Sequence, residues 1–165
     1  MIAAWVSGKF VCGYALQEMV DSGLVDPEKV LRFFKLRLHE DWENSAEAEI
    51  VNVLLREAGK TKEDLFTAVL RHIYQEAMAH ILRHAFGKDP RMADYEHEVY
   101  ISVPKKISWS ATKLVATSAQ NAGLPQIILV SEPLCAAAYN LQRLVEDPNA
   151  TAMVSSCRWW LRVGD

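Results

Sequence analysis

A chain of 165 residues, 50% apolar and 24% charged, is long enough to bury one domain core and has the composition of an ordinary globular protein. Its 18 basic and 21 acidic residues leave a net charge of -3, which argues against a nucleic-acid partner and against a polybasic membrane-surface segment. No apolar run approaches the ~20 residues needed to span a bilayer, and the apolar start, Met1 to Leu16, lacks a basic leader region and is interrupted by Lys9.

Ile2 to Val6 and Phe10 to Leu16 are short β-prone runs linked by Ser7-Gly8-Lys9, which predicts a hairpin, with Gly13 as a weak point or bulge in its second strand. A lone hairpin is barely stable, so this one needs further structure to join. Asp26-Pro27-Glu28 has the chemistry of a helix start, with Pro in the first turn and acids at the positive end of the dipole. The helix expected there carries Val30, Leu31, Phe33, Phe34, Leu36 and Leu38, a run too apolar for one face and so largely buried. Ser45 caps a further expected helix through about Ala58, with Ile50, Val53, Leu54 and Ala58 on its inner side and Gly59 as its stop.

Thr61-Lys62-Glu63-Asp64 resembles a capping box, with Asp in the place of Glu or Gln. The helix it opens is expected to reach about Phe86, with Gly87 ending it, and to bury a stripe of Phe66, Val69, Leu70, Ile73, Ala77 and Ile81. Asp89-Pro90-Arg91 reads as a turn. Val99, Ile101 and Val103 alternate with polar neighbours as in a strand, which Pro104 ends. Ser108 or Ser110 can cap a helix carrying Leu114, Val115, Ala119 and Ala122, closed by Gly123. Ile127 to Val130 is a continuous apolar run, the pattern of a strand covered on both faces. Ser131-Glu132-Pro133 then opens an Ala-rich helix to about Val145. Two strands joined by one helix imply a parallel crossover. The tail from Ala150 to Asp165 has no clear period.

Few residues suggest chemistry. His72, Glu76, His80 and His84 follow one another at helical i, i+4 spacing, where neighbours can share a metal, although a solvated polar face explains them as well. Cys12, Cys135 and Cys157 are an odd count without metal-ligand spacing, which fits buried thiols in a reducing compartment. Glu132 falls at a strand-to-helix junction, the carboxyl edge of a parallel sheet, where ligands of open α/β sheets bind. A carboxylate favoured by the helix dipole is the plainer account of it. Gly123-Leu124 follows a helix and cannot cradle a phosphate, and no dinucleotide fingerprint, P-loop or nucleophile elbow is present. Ser155-Ser156-Cys157 has no catalytic partner near it in sequence.

Val103-Pro104, Ala122-Gly123-Leu124, the run Ile127 to Val130, and Ser131-Glu132-Pro133 with Ala136-Ala137-Ala138-Tyr139 resemble the heat-shock protein 70 class of chaperone ATPases. Phe33-Phe34-Lys35-Leu36, Gly59-Lys60-Thr61, the long helix and Leu161-Arg162-Val163-Gly164-Asp165 resemble its divergent branch, common in fungi and present in animals, that lacks the usual substrate-binding half.

The resemblance implies an α/β fold: part of the first lobe of an actin-like, ribonuclease H-like ATPase domain. Residues 24–97 would form a helical subdomain, residues 98–147 a βαβα connecting segment, and residues 148–165 a tail before a second phosphate loop. The parent activity it implies is ATP binding and hydrolysis with magnesium, coupled to lobe motion, in the cytoplasm, with co-chaperones or client proteins as partners and neither nucleic acid nor membrane. In such a protein the position of Glu132 senses nucleotide and that of Pro104 acts in a conformational relay. Both phosphate loops and the adenosine pocket of the family lie outside these 165 residues. A truncated lobe of this kind should neither hydrolyse ATP nor bind it tightly. Two other readings stay open: a non-enzymatic module whose apolar helices dock on a partner protein, and a small α/β enzyme, for which no nucleophile–base pair is visible.

Overall fold

The computed structural model describes residues 2–32, 38, 45–84 and 98–146. The chain is mixed α/β. Strands β1 (Ala3–Val6) and β2 (Lys9–Cys12) form an antiparallel hairpin, followed by helix α1 (Tyr14–Asp21). Helices α2 (Ala46–Glu57) and α3 (Lys62–His84) come next. Strand β3 (Glu98–Val103), helix α4 (Trp109–Asn121), strand β4 (Gln126–Ser131) and helix α5 (Glu132–Glu146) complete the order.

The hairpin turn is Ser7-Gly8 alone, because Lys9 already pairs with Val6. Both turn residues have positive φ, 50° and 79°, as a type I′ turn requires for its twist to match that of the strands. The second strand is shorter than the apolar run suggested. It stops at Cys12, and Gly13 is the residue before α1 rather than a bulge. Tyr14 to Leu16 are therefore helical.

Period-2 alternation gives the hairpin two apolar faces. Ala3 and Cys12 join a core with Leu31, Val51, Leu55, Leu65, Phe66, Val69, Val103 and Val115. Ala4 faces a second core with Leu16, Val25 and Val30 under α1. Trp5 and Phe10, paired across the strands, meet edge to face with centroids 5.3 Å apart.

The helix expected from Asp26 is a single 3-10 turn, Pro27–Lys29, with the Asp26 carboxylate accepting from the Glu28 N–H. Val30 is extended, and Leu31 exchanges two backbone hydrogen bonds with Ala3 at 2.8 and 3.1 Å. An extended backbone sends Val30 into the second core and Leu31 into the first, because successive strand side chains point to opposite faces. Phe33, Phe34 and Leu36 lie outside the described residues.

Helix α2 starts as expected, with the Ser45 hydroxyl accepting from Ala48 N–H at 3.1 Å. Its inner face is Ala48, Val51 and Leu55, with Leu54 packed beside them, while Ile50 and Val53 are exposed. Two apolar stripes run along this helix, and docking chose the other one. Helix α3 opens with a reciprocal box: the Thr61 N–H donates to Asp64 at 2.8 Å and the Asp64 N–H to the Thr61 hydroxyl at 3.1 Å. The expected end at Phe86-Gly87 and the turn at Asp89 lie outside the described residues. Only the first half of its stripe is buried, Phe66 and Val69 with Leu65; Ile73 and Ile81 are exposed.

Strands β3 and β4 pair in parallel from Glu98↔Gln126 to Val103↔Ser131, connected by α4 as expected. Ser108 caps α4 by accepting from Ala111 N–H at 3.1 Å, and Val115, Ser118 and Ala119 of α4 are buried. Ile127 to Val130 are half-buried rather than covered on both faces. Among the described residues the parallel sheet has two strands, so each strand keeps one unpaired edge. No helix among the described residues is long and apolar enough to cross a membrane.

Candidate functional site

The carboxyl edge of the β3–β4 pair collects Pro104 and Glu132, the two positions to which the resemblance assigns a role. Val103 and Ser131 are the last pair of the parallel ladder. Parallel neighbours lie about 5 Å apart, and Pro104 and Glu132 are the next residues on each strand. The register thus sets them side by side where both strands give way to helices.

Pro104 is buried and Glu132 half-buried. Proline ends β3 because it cannot donate to the ladder. Glu132 opens α5 without a loop, in the first turn, where the positive helix end favours its carboxylate. Lys105 and Lys106 follow Pro104 in an exposed turn, and Ser108 then caps α4. The edge therefore gathers two helix starts, one carboxylate and two exposed lysines.

Such an edge suits anionic or polar ligands, since a helix start carries a partial positive charge. The sequence around it has no dinucleotide fingerprint and no P-loop motif. Nor do the described residues gather three His, Cys, Asp or Glu side chains that could hold a metal ion.

A second concave region lies between β2 and α3. A cavity of about 490 Å³ is lined by Cys12, His72, Ile73, Glu76, His80 and Arg83 among others. Three of the four helical i, i+4 residues thus line one cavity with a cysteine; the His84 side chain lies outside the described residues. Nothing in the i, i+4 spacing announced Cys12, because β2 reaches α3 only through the tertiary fold. The Cys12 thiol is pushed above its ordinary range, first by burial and then by the negative charge of Glu76. Raised in this way, it is protonated at neutral pH and a poor nucleophile. Cys135 is exposed on α5, and Cys157 lies outside the described residues.

Comparison with known proteins finds no matching family model, no matching curated protein and no matching solved structure.

Proposed function

We propose that this chain is part of the first lobe of a heat-shock protein 70-like, actin-type ATPase domain of the divergent branch, with Glu132 and Pro104 at the rim of its nucleotide cleft. The observation that supports this most is the register Val103↔Ser131, which sets the Val-Pro strand end beside the Glu-Pro helix start. The order of hairpin, helical region, parallel βαβ and Ala-rich helix is compatible with it.

On this reading ATP and magnesium belong to a complete cleft, and the residues described here contribute its rim. Glu132 would report nucleotide state, and Pro104 would pass that state along β3. These 165 residues alone supply no phosphate loop, so they should not turn over ATP. Calorimetry of the chain with ATP and magnesium should show no micromolar binding; such binding would overturn the claim that the cleft is incomplete. The family assignment has its own test in the coding sequence on either side. An in-frame Asp-x-Gly-Gly-Gly-Thr loop just downstream supports it, and a continuous frame without one overturns it.

A second reading, a non-enzymatic interaction module, draws support from α5. Leu134 and Leu141, two turns apart on one side of that helix, are 64% and 39% exposed, and exposed apolar groups on one face are the usual mark of a docking face. A strictly monomeric chain that binds no hydrophobic dye would count against it.

A further inference from the structure

A long stretch of this acidic chain is free of acidic residues and carries one exposed indole. Between Glu98 and Glu132 the sequence holds Lys105, Lys106 and Lys113 and no acidic residue, although the whole chain carries -3. Trp109, in the first turn of α4, is 78% exposed. The Lys113 ammonium lies 5.5 Å from its ring centroid, one helical turn along. Lys106 precedes Trp109 by three residues, which limits their Cα separation to about 11 Å. The buried face of α4 is Ala111, Val115, Ser118 and Ala119, which packs on α3, so Trp109 and Lys113 lie on the face turned away from the core. The N-terminus of α4 adds its partial positive charge at the same end. Glu63 bonds to Asn121 at the opposite, C-terminal end of α4, and Glu132 is half-buried just beyond the last ladder pair.

A tryptophan left this open is uncommon in a folded chain, and Trp is among the residues that most often anchor interfaces. From the aromatic anchor and the segregated lysines we infer that the outward face of α4 and the turn before it form a docking surface for an acidic peptide segment with an apolar or aromatic side chain at its centre. The partner's central side chain packs on Trp109, and its carboxylates are held by Lys105, Lys106 and Lys113. Single-stranded nucleic acid fits less well. It calls for a track of stacking aromatics in a basic groove, whereas here one indole stands on an acidic protein.

The overall charge makes the test discriminating, because an acidic protein repels an acidic peptide unless a local site overrides the repulsion. The probe is a short synthetic peptide of glutamates around a central phenylalanine, titrated against the full chain by calorimetry at low and high salt. Binding is expected at low salt and should weaken as salt rises. Trp109→Ala and the double variant Lys105→Glu, Lys106→Glu should each weaken it about tenfold or more. All three positions are exposed, so circular dichroism should show an unchanged fold. Lys9→Glu, on the hairpin, should leave binding unaltered. Absence of binding, equal weakening by Lys9→Glu, or tighter binding of oligothymidylate through the same residues would each overturn the proposal.

Discussion

The Asn121 side chain, at the end of α4, donates to the Glu63 carboxylate in the first turn of α3 at 2.7 Å. Two more bonds join the same helices: the Ser118 hydroxyl to the Glu63 carbonyl at 3.4 Å, and the Arg71 guanidinium to the Asn121 carbonyl at 2.7 Å. Together they dock the C-terminal end of α4, with its surplus of carbonyls, against the N-terminal part of α3. This contact holds the helix that leads into β4, and so helps to set where Glu132 emerges.

Ser118 is fully buried in that contact, and a larger side chain there must push the helices apart. Ser118→Leu should cost about 1–3 kcal/mol of stability. Ser118→Ala, which gives up only a long hydrogen bond, should cost less than the Leu variant. Urea unfolding of the two variants decides; equal loss in both would mean that the helices do not approach closely at this point.

The capping box of α3 makes stability fall in acid. The Asp64 carboxyl is held below its ordinary range, first by the Thr61 backbone N–H, then by the Thr61 hydroxyl, with a smaller contribution from Lys60. Because the folded value is depressed, the stabilisation is fully present above the unfolded value and is lost as pH falls through the folded one. Asp64→Asn should therefore flatten the acid limb of the stability curve, and Thr61→Ala should cost about 0.5–2 kcal/mol. Thermal melts between neutral pH and pH 3 would show both effects.

Gly13 joins β2 to α1 at φ 68° and ψ -142°, a conformation nearly closed to residues with a Cβ. No atom lies within 4 Å of where a Cβ would stand, so the penalty is conformational rather than steric. Gly13→Ala should destabilise the chain by about 1–3 kcal/mol. Hydrogen exchange should find the added opening in α1, where Leu16 anchors the second core.

Thiol chemistry should separate the two described cysteines. Cys135 is exposed and Cys12 buried with a raised pKa. Under native conditions iodoacetamide should modify Cys135 first and reach Cys12 at a rate set by opening of the fold. Peptide mass spectrometry against time measures both; rapid modification of Cys12 would show that the cavity beside α3 admits reagents.

What the sequence determined by itself is local. Ser45, Thr61 with Asp64, and Ser108 each satisfy a helix start from within three residues, and Pro104 removes a ladder donor wherever the strand lies. The alternation of Val99, Ile101 and Val103, and the helix between two apolar runs, were enough for the parallel crossover.

The tertiary structure decided everything in which two local answers were equally good. Asp26-Pro27-Glu28 can open either a long helix or a single turn, and the hydrogen bonds that Leu31 finds on Ala3 choose the turn. Helix α2 carries two apolar stripes, and packing on the hairpin and α3 buries Val51 and Leu55 in place of Ile50 and Val53. Cys12 meets Glu76 only because the tertiary fold brings the end of β2 to a cavity beside α3. Propensity and capping act over a few residues, whereas register and burial are set by partners far away in the chain. Glu132 and Pro104 could each be named from the sequence, but only the pairing of Ser131 with Val103 makes them neighbours.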